Sequence, residues 1–173
     1  MAIFTGYSTN GIPYALLSES GPDLLIFTGS ELEHIAPTKM TQQGYYVGLK
    51  RLVSQYSVYL MSRKPNLPKG YTAQDMSNDY AEFIRKDIGK PVHIMGMSSG
   101  GSSAMHLAAD HPDLVNKLIL AMTGKHLQAI FTRNGFLQEC QVCLLRKKRA
   151  WQFISYSFST SCIRWTRKEK QRL

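Results

Sequence analysis

The sequence lacks any apolar run of the roughly eighteen residues that a membrane-spanning helix needs, so we expect no transmembrane segment. Its N-terminus has no positively charged stretch followed by an apolar one, which excludes a typical secretory signal and favours a cytoplasmic location. Of the 173 residues, 43% are apolar and 19% are charged. These fractions indicate a globular protein with enough apolar side chains to bury a core.

Several residue types are missing from one part of the chain. Every aspartate and all seven prolines lie before residue 125, whereas all three cysteines and both tryptophans lie after it. Residues 1–124 carry no net charge, and residues 125–173 carry the whole formal charge of +9. We therefore predict one domain over residues 1–124 and a basic tail over residues 125–173 that is not native to the fold, as a shifted reading frame or early termination would produce.

A second interpretation makes the basic tail a functional appendage. Arg146–Arg149 and Trp151 combine charge with an aromatic ring, which suits an acidic membrane surface or RNA. The tail has no nucleic-acid-binding motif, so we expect no specific nucleic-acid partner and only a non-specific contact with polyanions. Its C-x-x-C pair, Cys140 and Cys143, lacks the second pair that a zinc site needs, and we expect no metal and no cofactor.

Apolar runs alternate with amphipathic helices across residues 1–124. Four short runs have the composition of strands buried on both faces: 23–28, 58–61, 91–95 and 117–121. Thr72 and Asp75 resemble a capping box at a helix start. An earlier hairpin turns at Asn10-Gly11, and Pro13 would place its second strand at an edge or a bulge. The pattern predicts an α/β fold with a mainly parallel, doubly wound sheet.

The motif Gly96-Met97-Ser98-Ser99-Gly100 matches G-x-S-x-G directly after the third apolar run. An Ala-rich helix follows, and this strand–turn–helix context is the one in which a nucleophilic serine projects above a sheet. Side chains at Gly96 and Gly100 would collide with neighbouring backbone, and the helix would point its first N–H groups at developing negative charge. The alternatives are an ordinary turn or a phosphate-binding loop. No lysine follows the glycines, which argues against the phosphate-binding loop.

This motif is followed by an Ala-Ala-Asp-His-Pro helix end and then by a Leu-Ile-Leu-Ala strand. In these features and in the order of its elements, the N-terminal domain resembles the α/β-hydrolase fold superfamily. The resemblance implies that Ser98 is the nucleophile and that the backbone N–H of Ser99 is one oxyanion donor. The second donor in the family follows a His-Gly or similar pair after an earlier strand. Here that place reads Phe27-Thr28-Gly29-Ser30, which assigns the role to the backbone N–H of Ser30.

The resemblance also implies an acid and then a histidine downstream of Ser98. The histidines and acids found there are His106, His111, His126, Asp110, Asp113, Glu139 and Glu169. His106 lies about 12 Å along the helix from the turn, and no carboxylate precedes His126 in the appropriate loop. Because a serine hydroxyl needs a base that an acid orients, we expect this chain to lack a complete triad and to be inactive.

The activity implied by the resemblance is hydrolysis of a small-molecule ester, amide or related bond through an acyl-serine intermediate. Glu31 and His34 follow the predicted oxyanion strand, either at the pocket border or as exposed loop residues. The alternative is a non-catalytic, hydrolase-like binding protein whose basic tail contacts membrane or RNA. In this incomplete fold, residues 117–121 would form an unpaired apolar sheet edge that is prone to aggregation.

Overall fold

The computed structural model describes residues 2–29, 34–121 and 123 in full, and the backbone of residues 143–147 and 150–154. The strands in these residues are β1 Phe4–Tyr7, β2 Pro13–Glu19, β3 Asp23–Phe27, β4 Ser57–Met61, β5 Val92–Met97, β6 Val115–Ala121, β7 Cys143–Lys147 and β8 Ala150–Ile154. The α-helices are α1 Lys39–Gly48, α2 Lys50–Val53, α3 Ala73–Phe83 and α4 Gly100–Asp110. A π-helical turn, Ile84–Ile88, extends α3, and a 3₁₀ turn, Pro112–Leu114, follows α4.

The described strands form one sheet in the order β1-β2-β4-β3-β5-β6-β7-β8. The four central strands, β4, β3, β5 and β6, run parallel to one another. The outer strands β1, β2, β7 and β8 pair antiparallel with their neighbours. Every residue of β3 is buried, as expected for a strand that helices cover on both faces.

Helices cover both faces of the sheet. On one face, α3 and α4 contribute Tyr80, Phe83 and Leu107 to a core that includes Phe27 and Ile94. On the other face, Val53 of α2 joins side chains of β2, β3 and β4 in a second core. The doubly wound α/β architecture predicted from the alternating pattern is therefore confirmed. No helix in the described part of the chain is long and apolar enough to cross a bilayer.

The predicted capping box at Thr72 is present. The hydroxyl of Thr72 accepts a hydrogen bond from the backbone N–H of Asp75 at 3.1 Å. In return, the carboxylate of Asp75 accepts from the backbone N–H of Thr72 at 2.8 Å. These bonds satisfy two of the N–H groups that have no partner in the first turn of a helix. They fix where α3 begins, and α3 packs against α4.

The expectation that Pro13 marks an edge strand is wrong, whereas the alternative, a bulge in this strand, agrees with a register shift further along it. Strand β2 is interior, because it pairs with β1 on one side and with β4 on the other. Pro13 is tolerated because it is the first residue of the strand, and a proline at that position costs the ladder little. The irregularity in this strand falls instead between Leu16 and Ser18.

The expectation of an unpaired edge at residues 117–121 is also wrong. Lys117, Leu118 and Ile119 of β6 pair antiparallel with Leu145, Leu144 and Cys143 of β7. Strand β8 continues the sheet beyond β7. The error came from treating the basic composition after residue 124 as unable to supply a strand, although 143–147 begins with three apolar residues.

Candidate active site

Ser98 occupies the turn between β5 and α4 in a backbone conformation that few non-glycine residues adopt. Its φ is +51°, in the left-handed region, which costs an L-residue about 1–2 kcal/mol. The backbone N–H of Ser98 donates to the carbonyl of Ala121 at 3.0 Å, and its carbonyl accepts from the N–H of Gly101 at 3.1 Å. The hydroxyl of Thr123 donates to the same Ser98 carbonyl. Bonds from β6, from α4 and from the chain beyond β6 therefore hold the strained turn in place.

The two glycines of the motif lie where backbone segments approach closely. A Cβ atom on Gly100 would lie 2.4 Å from the carbonyl oxygens of Phe27 and Thr28. One on Gly96 would lie 2.6 Å from Cα of Gly101. Real side chains do not reach such distances without displacing the backbone. The first turn of α4 thus packs directly on the ends of β3 and β5, which places its N-terminus beside Ser98.

The chain leaving β3 passes close to the serine side chain. A Cβ atom on Gly29 would lie 3.0 Å from Cβ and 3.4 Å from Oγ of Ser98. The preceding Thr28 is buried, and its hydroxyl donates to the carbonyl of Met61 at 3.0 Å. Ser30, the predicted second oxyanion donor, lies outside the described residues, so its role stays a prediction.

The two residues that follow the predicted oxyanion segment are only partly described. Glu31 lies outside the described residues, as Ser30 does. His34 is described and half-buried. A position of either side chain at the border of a substrate pocket stays a prediction.

Arg63 contacts the turn and was not singled out from the sequence. Its guanidinium Nη2 donates to the hydroxyl of Ser99 at 2.9 Å. Arg63 lies two residues after the last residue of β4, at the carboxyl edge of the parallel strands where ligands bind in open α/β sheets. That rule, applied to every strand and not only to the one that precedes Ser98, would have identified it.

No histidine or carboxylate among the described residues hydrogen-bonds the hydroxyl of Ser98. Nδ1 of His106 lies 3.9 Å from the carboxylate of Asp110, one helical turn along α4. Nε2 of His111 lies 3.0 Å from the side-chain oxygen of Asn78. Asp113 lies 4.0 Å from Arg85. These groups pair with residues around the far end of α4.

Three further candidates for the triad lie outside the described residues: His126, Glu139 and Glu169. The absence of a complete triad therefore stays a prediction from the sequence.

A surface groove of about 530 Å³ lies away from this turn. Its lining includes Glu19 and Ser20 at the end of β2, together with Tyr46 and Lys50. Glu19 pairs with Ser57, the first residue of β4, so the groove opens at the amino ends of the parallel strands. Ser98 stands at their carboxyl ends, and the groove therefore does not serve the serine.

A family model described as alpha/beta hydrolase fold matches residues 59–151, which is more than half of the chain and includes the whole serine turn. The match extends past residue 124, where composition predicts a domain boundary, and that boundary stays a prediction. No curated protein sequence matches the chain significantly.

Solved structures with the same fold include several hydrolases. A hydrolase from Pseudomonas aeruginosa PA01 is 21% identical with a TM-score of 0.55, over 72% of this chain and 47% of that one. A marine microorganism esterase is 29% identical with a TM-score of 0.50, over 64% and 41%. An E-2-(acetamidomethylene)succinate hydrolase is 21% identical with a TM-score of 0.52, over 67% and 43%. The chain therefore spans less than half the length of these proteins.

Proposed function

The chain belongs to the alpha/beta hydrolase fold family, and on that premise we propose that Ser98 is the nucleophile of a serine hydrolase. The serine oxygen would attack the carbonyl carbon of a small ester, amide or related bond, release the alcohol or amine, and form an acyl-serine that water then hydrolyses. The observation that carries the proposal is the φ of +51° at Ser98. A strained serine persists where the surrounding contacts over-determine it, and such strain clusters at active sites.

The oxyanion of this reaction would be held by two backbone N–H groups, those of Ser99 and Ser30. Two observations support this arrangement. Helix α4 begins at Gly100, immediately after Ser99, so its N-terminal N–H groups and dipole lie beside the reacting carbonyl. The close approach of Gly29 to Ser98 brings the backbone that leads to Ser30 near the same point. Loss of one such donor typically costs about 3 kcal/mol of transition-state stabilisation.

The marine microorganism esterase, which is 29% identical to this chain, supports an ester as the bond that is cleaved. A short acyl ester is therefore the first substrate to test. Because no histidine or carboxylate of the described residues hydrogen-bonds Ser98, we expect turnover of such an ester to stay close to the rate in buffer. The chemistry of the turn is therefore better tested by labelling than by turnover.

The experiment treats the full chain with a short alkyl fluorophosphonate, with imidazole added as an external base, and maps the modified residue by peptide mass spectrometry. Phosphonylation should fall on Ser98, whose hydroxyl stands at the helix N-terminus. The variant Ser98→Ala should lose the label. The matched control Ser102→Ala, which removes a hydroxyl of α4 without touching the turn, should keep it.

One result would argue against the proposal, and a second would overturn only the expectation of inactivity. Equal labelling of Ser98→Ala would show that the nucleophile lies elsewhere. Rapid hydrolysis of 4-nitrophenyl acetate that Ser98→Ala abolishes would keep the serine assignment but overturn the expectation of inactivity. His126 would then be the first residue to test as the base, because it is the first histidine after β6 in the sequence.

A second candidate function is attachment to a polyanion through the basic tail. The observation that favours it is the location of the whole formal charge of +9 in residues 125–173. Replacing Arg146, Lys147, Lys148 and Arg149 with glutamine should abolish salt-sensitive binding to an RNA oligonucleotide or to anionic vesicles. The Ser98→Ala variant should bind as the unmodified chain does. Binding that survives the four substitutions would contradict this function.

A further inference from the structure

The contact between Arg63 and Ser99 spans the width of one strand. Arg63 follows β4 and Ser99 follows β5, while β3 lies between those two strands. Neighbouring strands are about 4.8 Å apart, so the arginine side chain reaches across roughly 10 Å to make its hydrogen bond. The guanidinium therefore lies beside Ser99, the residue that follows the proposed nucleophile.

Arg63 differs from the other described basic side chains in its surroundings. Of the Lys and Arg residues that the structure describes, only Arg63 and Lys64 are half-buried, and the rest are exposed. Nζ of Lys64 has a counter-ion, the carboxylate of Asp79 at 3.3 Å. No carboxylate of the described residues lies within ion-pair distance of Arg63.

A half-buried cation without a counter-ion is costly to maintain. The hydration of the Arg63 guanidinium is partly removed, and no opposite charge among the described residues compensates for the loss. Its one described side-chain bond, to the neutral hydroxyl of Ser99, uses a single one of its five N–H donors.

We propose that Arg63 binds a carboxylate of the substrate beside Ser98, so that this site selects esters or amides that carry an anionic group. The proposal rests on the proposed function of Ser98 and adds the substrate class to it. A guanidinium matches a carboxylate with two parallel N–H···O bonds, a stronger and more directional contact than any neutral group offers. The bound carboxylate supplies the counter-ion that the described part of the protein does not provide.

The competing interpretation is that Arg63 only holds the serine turn. A holding role would require the hydrogen bond to Ser99 but no preference for a charged ligand. Binding of a matched pair of small ligands separates these two interpretations. Pentanoate and pentanamide have the same size and chain, and they differ in the charge and donor pattern of one end group.

The experiment measures the dissociation constants of pentanoate and pentanamide by NMR titration at fixed ionic strength. We expect the chain to bind pentanoate about tenfold more tightly, as one desolvated charge pair commonly provides. Arg63→Gln should remove the difference between the two ligands, and Arg63→Lys should keep part of it. The matched control Lys69→Gln removes an exposed positive charge from the same loop and should leave the preference unchanged.

Equal binding of the two ligands by the unmodified chain would overturn the proposal, and so would a preference that survives in Arg63→Gln. If Arg63→Gln fails to fold, the ligand pair on the unmodified chain and on Arg63→Lys still decides the question. The two proposals fail separately. Fluorophosphonate labelling at Ser98 without a preference for pentanoate would contradict only the proposed carboxylate site at Arg63. A preference for pentanoate that persists in Ser98→Ala, with no labelling of Ser98, would contradict only the proposed nucleophile.

Discussion

The amino ends and the carboxyl ends of the parallel strands differ in how their polar groups are paired. At the amino ends, the carboxylate of Asp23 lies 2.8 Å from Nζ of Lys90. There too, the hydroxyl of Ser57 donates to the carbonyl of Gly21 at 2.9 Å, and the side chain of Asn116 donates to the carbonyl of Pro91 at 2.9 Å. These three contacts give polar groups at the amino ends partners within the fold, although two buried atoms there, Nδ1 of His93 and, apart from its ion pair, Oδ2 of Asp23, have no hydrogen-bond partner among the described residues.

At the carboxyl ends, the fold keeps features that lower its own stability. Ser98 is strained, glycines bring backbone segments into contact, and Arg63 has no counter-ion among the described residues. Natural proteins depart from local structural rules mainly at functional sites. The difference between the two ends agrees with the proposal that a ligand binds at the carboxyl end.

The largest expected effect comes from filling the space at Gly100. A methyl group in Gly100→Ala would meet the carbonyl oxygens of Phe27 and Thr28 at 2.4 Å, and backbone cannot yield as a side-chain tip can. We expect the free energy of unfolding to fall by about 3 kcal/mol, at the upper end for overpacked sites. Urea denaturation followed by circular dichroism measures this change.

The matched control is Gly44→Ala in α1, where a Cβ atom would meet nothing within 4 Å. Because alanine reduces the entropy of the unfolded chain and favours helix, this variant should gain about 0.5–1 kcal/mol. A mild effect of Gly100→Ala, close to that of the control, would mean that α4 does not pack on the end of β3 as tightly as described.

A smaller effect should come from relieving the strain at Ser98. In Ser98→Gly the left-handed conformation loses its steric cost, and we expect the free energy of unfolding to rise by about 1 kcal/mol. The same change removes the hydroxyl, so fluorophosphonate labelling should disappear. Stability would thus rise as function is lost.

Asn66→Gly is the matched control for strain relief, since Asn66 has a φ of +56° in the loop after β4. Asparagine tolerates this conformation better than serine, so its gain in stability should be smaller. Labelling of Ser98 should continue in this variant. A loss of stability in Ser98→Gly would show that the hydroxyl contributes more to the fold than the strain costs.

Much of the fold could be predicted from the sequence because its signals are local. The run 23–28 is apolar without interruption, and every residue of β3 is buried. The glycines at 96 and 100 follow from the sterics of a single turn. Both can be read from a few consecutive residues, and the family model over residues 59–151 includes the two glycines.

What the sequence did not predict depends on which strands become neighbours. The bond from Arg63 to Ser99 joins residues 36 apart in the sequence. It forms because β4 and β5 end at the same edge of the sheet with only β3 between them. Pro13 was placed at an edge because strand order cannot be derived from a hairpin alone. The pairing of β6 with β7 was missed because a basic composition concealed a short apolar strand.

The smallest expected effect tests the amino end, where His93 is an exception to the general pairing. The ring of His93 is half-buried on β5, and its Nδ1 has no hydrogen-bond partner among the described residues. Burial lowers the pKa of His93, the positive charge of Lys117 lowers it further, and Asp23 partly opposes this shift. The ring therefore stays neutral in the folded protein at pH values where an exposed histidine binds a proton.

This shift has a defined consequence for stability. Below the ordinary histidine pKa of about 6.5, the unfolded chain binds more protons at this position than the folded chain, so the free energy of unfolding decreases as the pH falls. Above that pH the position contributes no slope. His93→Phe keeps a ring against Tyr56, with which His93 makes an edge contact, and should flatten the pH dependence below about pH 6.5.

The control is His106→Phe, the same change at a side chain that is 45% exposed, and it should leave the slope in place. Solvent screening at the partly exposed ring of His93 keeps the whole effect small. Urea denaturation at several pH values measures it. A slope that persists in His93→Phe would mean that the ring is charged in the folded state. The amino end would then also hold a cation that its neighbours do not fully compensate, and the contrast with Arg63 would weaken.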